Sequence, residues 1–135
     1  MCKAPARVGG GLVDHWWIKI GNIERGMGGN VENPGDEFES PYITDVVVRD
    51  HSRQSQTRDG ASCSTVSGVC VNKVEEALEV NRSLGKFNLL LNNCQTFCLG
   101  VINSSRSPNF IEQRRIEVND AAKRVNDMLP SMNSF

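Results

Sequence analysis

Residues 12–29 read LVDHWWIKIGNIERGMGG, and the reading of this stretch decides the fold. Residues 12–20 are rich in β-branched and aromatic side chains, the composition of a half-buried strand. Gly21-Asn22 is a two-residue turn signal, so residues 23–27 return as the second arm of a hairpin. That turn fixes a register in which Ile20 faces Ile23, Lys19 faces Glu24 and His15 faces Gly28. Gly26, Gly28 and Gly29 mark backbone that is flexible or closely approached.

Upstream of this hairpin, residues 1–11 are small and glycine-rich and read as a flexible lead-in. Downstream, residues 30–42 carry two prolines and several acids and read as a surface loop. Residues 43–49, ITDVVVR, form a second strand, and residues 50–68 are a long polar loop. Val74, Ala77, Leu78 and Val80 recur near helical spacing, which predicts a helix over residues 72–84 stopped by Gly85. A short apolar run, residues 86–91, leads into Asn92-Asn93-Cys94. From Cys94 the pattern Phe97, Cys98, Val101, Ile102 predicts a buried helix that begins at the cysteine. Pro108 separates it from a last helix over residues 111–128, with Ile116, Val118, Ala121, Val125 and Met128 as inner positions and Pro130 as its stop. Strands precede helices without βαβ alternation, so the class is α+β, in a single domain spanning residues 1–135.

With 135 residues, 39% hydrophobic and 23% charged, the chain has the balance of an ordinary globular domain. A net charge of −1 gives no reason to expect nucleic acid or a membrane surface as partner. No apolar run approaches the roughly 20 residues of a membrane span. The start of the chain lacks the apolar stretch of a secretory signal, which suits a cytoplasmic protein or a domain cut from a larger secreted one. Five cysteines, an odd number, argue against a full disulfide framework, although Cys63 and Cys70 could pair in an oxidising compartment. The sequence has no C-x-x-C, and its histidines are not at ligand spacing, so neither metal nor cofactor is expected.

A thiol is a useful nucleophile when its thiolate is favoured, and a helix N-terminus supplies unpaired N–H groups and a positive dipole end. Cys94 is expected at such a place, after two asparagines able to cap the helix; Asn93 immediately precedes it. Its own N–H would then face a developing oxyanion. Cys98, one turn on, reads as a small core residue. Imidazole is the usual base near neutral pH. His15 lies on a strand, a rigid placement, whereas His51 opens a polar loop; His15 is the preferred base. Trp17 shares the strand face of His15 and could wall a substrate cleft.

Residues 15–24, HWWIKIGNIE, followed by Gly26-Met27-Gly28-Gly29, resemble the histidine strand-turn-strand segment of PPPDE-type peptidases. Residues 89–97, LLLNNCQTF, resemble the Asn-Cys-x-x-Phe segment that carries the nucleophile of that group. The same order, histidine strand first and Asn-Cys helix later, is found in lecithin-retinol acyltransferase-like proteins and other circularly permuted NlpC/P60 proteins. The resemblance covers two short blocks. It departs at Thr96, where some relatives have histidine, and at the bulky Trp16-Trp17 pair. It implies a permuted papain-like fold, a small antiparallel sheet packed on helices, with Cys94 as nucleophile and His15 as base.

A papain-like site also has a group that orients the histidine. Glu24 is near in sequence, but the hairpin register sets it about four residues along the ladder from His15, over ~12 Å away. Residues near 27–30 are better placed, with Asn30 the polar candidate and a backbone carbonyl or Asp45 the alternatives. Gln95, directly after the nucleophile, is a candidate for the oxyanion site or for a capping role. The expected activity is hydrolysis of an amide bond through an acyl-enzyme, on a protein or peptide substrate. A toxin or effector domain, with an inhibitory immunity protein as partner, is one form of this expectation. The alternatives are a lipid-directed thiol acyltransferase or phospholipase, and a papain-like binding module without catalysis.

Overall fold

The hairpin forms with the register its turn dictates. The computed structural model describes residues 1–6, 13–29 and 45–132. Strand β2 (Asp14–Ile20) turns through Gly21, at φ +56°, and Asn22 into β3 (Ile23–Gly29). Ile20 pairs with Ile23, Lys19 with Glu24 and Ile18 with Arg25. The remaining strands are β1 (Cys2–Pro5), β4 (Asp45–Asp50), β5 (Ser62–Cys63) and β6 (Ser83–Lys86). All six join one antiparallel sheet in the order β5-β1-β2-β3-β4-β6. The helices are α1 (Gln54–Thr57), α2 (Val71–Ala77), α3 (Cys94–Ser104) and α4 (Pro108–Met132). The α+β class therefore holds.

Alternation along the strands gives the sheet two different faces. Ile18, Met27, Val46 and Val48 point to the first, where Val74 and Leu78, at and just beyond the end of α2, and Phe97, Cys98, Val101 and Ile102 of α3 close the main core. Phe97, Cys98, Val101 and Ile102 are the four positions that periodicity assigns to the inner face of α3. The second face carries a smaller cluster of Cys2, Ala4 and Trp17, with Ala61 against it. Beside that cluster lie the buried polar residues His15, Glu24 and His51.

Five expectations need correction. The stretch 50–68 is not one long loop: Asp50 ends β4, residues 54–57 form α1 and residues 62–63 form β5. The first residues are not all lead-in: Cys2 and Ala4 are 1% exposed, because β1 lies inside the sheet between β5 and β2. Cys63 is bonded to Cys2, its cross-strand neighbour, and Cys70 is a free thiol. The helix expected over residues 72–84 ends at Ala77. Arg82 donates to Ala77 O at 2.8 and 3.1 Å, Asn81 turns at φ +68°, and residues 83–86 pair with β4 instead. Finally, α4 continues past Pro130, and its expected inner positions are exposed: Ile116 50%, Val118 61%, Val125 57% and Met128 60%. The first strand arm, expected from residue 12, is described only from Val13, and the whole of the expected loop 30–42 lies outside the described residues.

Candidate functional site

Helix α3 starts at Cys94 because Asn93 caps it. The Asn93 side chain accepts from the Gln95 and Thr96 amides at 3.0 and 2.9 Å, and Thr96 Oγ1 accepts from Asn93 N at 2.9 Å. This reciprocal capping box satisfies donors that the first turn would otherwise leave open. Asn93 also donates through Nδ2 to Leu89 O at 2.8 Å, which ties the cap to the preceding turn. Asn93 is therefore the residue that fixes where Cys94 sits.

The end of the helix is seated where the sheet opens. The β2–β3 ladder stops at Ile18↔Arg25, although both strands continue. Val13 O accepts from Ala6 N across the β1 edge, so by alternation the Asp14 carbonyl points the other way, toward β3. That carbonyl receives Cys94 Sγ at 3.8 Å and Gln95 Nε2 at 3.3 Å. The Trp16 amide also donates to the thiol. The sulfur thus rests on the two peptide groups that flank His15, and Gln95 is tethered to the same strand.

The imidazole of His15 lies with Trp17 on the face opposite α3, and the two rings stack with centroids 5.8 Å apart. Thiol and imidazole approach the same point of β2 from the two sides of the sheet. Gly26 keeps the second face open there. A Cβ on it would come within 2.8 Å of Trp17 Cβ and 3.4 Å of His51 Cε1.

His51 holds His15. Their Nε2 atoms are 2.8 Å apart, with ring centroids at 5.0 Å and planes within 13°, so the rings meet edge to edge. His51 Nδ1 is 3.0 Å from the Arg49 carbonyl, which can only accept, so Nδ1 carries the proton. With both rings neutral, His51 accepts at Nε2 and His15 donates through Nε2–H. His15 then carries its lone pair on Nδ1. Sequence reasoning placed His51 in a loop; it follows β4 directly. Alternation from Val47 and Arg49 was the signal that would have set it on the face of Gly26.

The other candidates for this orienting post are elsewhere. Glu24 accepts from Trp17 Nε1 at 2.9 Å and from the Ser55 amide at 2.8 Å, so it braces the tryptophan under His15 rather than the imidazole itself. Asp45 pairs with Lys86 at 4.0 Å on the exposed surface. Asn30 lies outside the described residues.

Three protonation states matter. Burial pushes the Cys94 thiol above its ordinary value, against the opposing pull of the Trp16, Gln95 and Cys94 amides and of Arg58. The helix end was expected to favour the thiolate; here desolvation outweighs it. Burial, with Cys94 next to it, pushes the Cys98 thiol far higher, in keeping with a core role. Burial also disfavours the Glu24 carboxylate. The indole and Ser55 hydrogen bonds, with Lys19 nearby, outweigh that and bring it below the ordinary carboxylate value.

Leu89, Leu90 and Leu91 precede Cys94 at 55%, 81% and 80% exposure. Asn88 Oδ1 accepts from the Leu90 and Leu91 amides at 3.0 Å each, which makes this turn a defined projection. An open cleft of about 630 Å³ between α2 and the later part of α3, lined by Lys73, Arg82, Phe97 and Ser104, contains none of the candidate residues. Among the described residues no three His, Cys, Asp or Glu side chains cluster as a metal site would need. No family model, curated protein or solved structure matches the chain.

Proposed function

We propose that the chain is a cysteine-dependent amide hydrolase of permuted papain-like type, with Cys94 as nucleophile, His15 as base and His51 as the residue that positions His15. The observation that carries this reading is the seating of a helix-capped thiol on the peptides flanking a histidine whose tautomer is set by a second histidine. Through the opening where the β2–β3 ladder stops, His15 Nδ1 takes the thiol proton, and the sulfur attacks the carbonyl carbon. The Cys94 amide faces the oxyanion. His15 then returns the proton to the leaving amine, and water, deprotonated by His15, releases the acid from the thioester. His51 accepts the Nε2–H bond throughout and keeps Nδ1 turned to its task.

The substrate side is a peptide, isopeptide or side-chain amide. The Cys2–Cys63 bond supports a protein that works in an oxidising setting, as an exported effector would. Among the described residues no helix is long and apolar enough to cross a membrane. A second reading, lipid-directed acyl transfer, is favoured by one feature, the exposed Leu89–Leu91 turn beside Cys94.

The test is turnover of a panel of fluorogenic peptides, isopeptides and short-chain phospholipids, with intact mass spectrometry for the acyl-enzyme. Loss of turnover in Cys94→Ala, and a fall of about 10²–10⁴-fold in His15→Ala, is expected. Turnover at the wild-type rate after either change removes the proposal, and phospholipid cleavage alone transfers it to the second reading.

A further inference from the structure

Helix α4 has 25 residues, about 37 Å of rod, and its apolar stripe is covered by no other described element. The stripe has a heptad period. Ile111, Val118 and Val125 recur every seven residues, and Arg114, Ala121 and Met128 fall three residues after each. Ile111, Val118, Val125 and Met128 are 56–61% exposed. At the root of the helix Phe110 is fixed to the body by the Arg106 guanidinium, 4.3 Å from its ring centre. The rod is thus anchored at one end, and its apolar stripe stands exposed among the described residues.

Its charges say what covers it. Glu112, Glu117, Asp120 and Asp127 balance Arg114, Arg115, Lys123 and Arg124, so the helix has no net attraction for an anionic membrane. We propose that the occupant is a second copy of this chain, with the two α4 helices packed antiparallel. A parallel, in-register pair would set Arg114 against Arg114 of the other copy and offer no opposite charges across its flanks. The antiparallel pair sets Ile111 on Met128, Arg114 on Val125 and Val118 on Ala121. The small central pair allows close approach. The same register brings Glu117 of each copy opposite Arg124 of the other, two complementary pairs that flank the seam. The proposal is independent of the hydrolase reading.

Light scattering and sedimentation of the full chain, over a wide concentration range, test it. The mass is expected to rise from 14.9 kDa to twice that value. Glu117→Arg and Arg124→Glu, each alone, set like charges across the seam and are expected to weaken association about tenfold. An equimolar mixture of the two variants restores both pairs and is expected to form the mixed dimer at wild-type strength. A wild-type chain that stays at 14.9 kDa, or a mixture no tighter than either variant, overturns the proposal. Binding of the monomer to anionic vesicles in place of self-association overturns it as well.

Discussion

His51 ties the protonation of one imidazole to the position of another. Its Nδ1–H is held by the Arg49 carbonyl and its Nε2 accepts from His15 Nε2–H, so His51→Ala removes the acceptor that sets the His15 tautomer. The expected result is a fall of about 10–100-fold in kcat with KM little changed, in line with losses of orienting partners elsewhere. Restoration by His51→Asn, which can also accept from Nε2–H, would separate positioning from simple packing. Glu24 answers to acid rather than to substrate. Its carboxyl is held below the ordinary value, so its contribution to stability is complete above that value and is lost as pH falls through the depressed one. Thermal melts of wild type and Glu24→Gln should differ most near neutrality, by about 1.5–3 kcal/mol, and converge at low pH. A constant difference across pH would locate the effect in packing instead.

The hairpin and α3 show how far local sequence reaches. Gly21-Asn22 specifies the β2–β3 register without outside help, and Asn93 with Thr96 specifies the first turn of α3. Both signals are short-range, and both were legible. β6 was not, because the apolar spacing of residues 74–80 continues a helical pattern that the Asn81 turn and pairing with β4 override. β1 was hidden for another reason. Cys-Lys-Ala-Pro has little strand character, and its place depends on neighbours from nine to 61 residues away. Of the site, Cys94 and the segment carrying His15 could be read; the His15–His51 bond could not, since it joins residues 36 apart across β3. At this scale Gly26 is the sensitive position. A Cβ there meets the Trp17 backbone as well as its side chain, at 3.3 and 2.8 Å, so the strand itself must move. Gly26→Ala is expected to cost about 1–3 kcal/mol in urea unfolding and to displace Trp17 and His51 from His15. An unchanged midpoint would mean that β2 and β3 separate more easily than their pairing suggests.

The molecule as a whole combines a cross-linked sheet with a projecting helix. The Cys2–Cys63 bond spans 61 residues of sequence and fastens β5 to β1, one strand away from His15. Closing a loop of that size restricts the unfolded chain by about 4 kcal/mol. Cys63→Ser, or reduction of the wild type, is expected to lower Tm clearly, while α4 and its association should persist. A melt indifferent to reductant would mean that the bond adds nothing to stability. The amphipathic pattern of α4 was evident in the sequence, but periodicity marks an apolar face without saying what meets it. The same holds for the thiol, whose chemistry depends on the base that reaches it.

The central claim is that His15 activates Cys94, and burial makes it measurable. With its thiol pushed up, Cys94 should react slowly near neutral pH unless a base removes its proton. The decisive measurement is the rate of Cys94 modification by a neutral chloroacetamide, followed by peptide mass spectrometry from pH 5 to 10 in wild type and in His15→Ala. Wild type should label Cys94 at neutral pH well ahead of Cys70 and Cys98. His15→Ala should lose that reactivity at neutral pH and recover it only in alkali. Equal labelling of Cys94 in both proteins across the whole range would contradict the account.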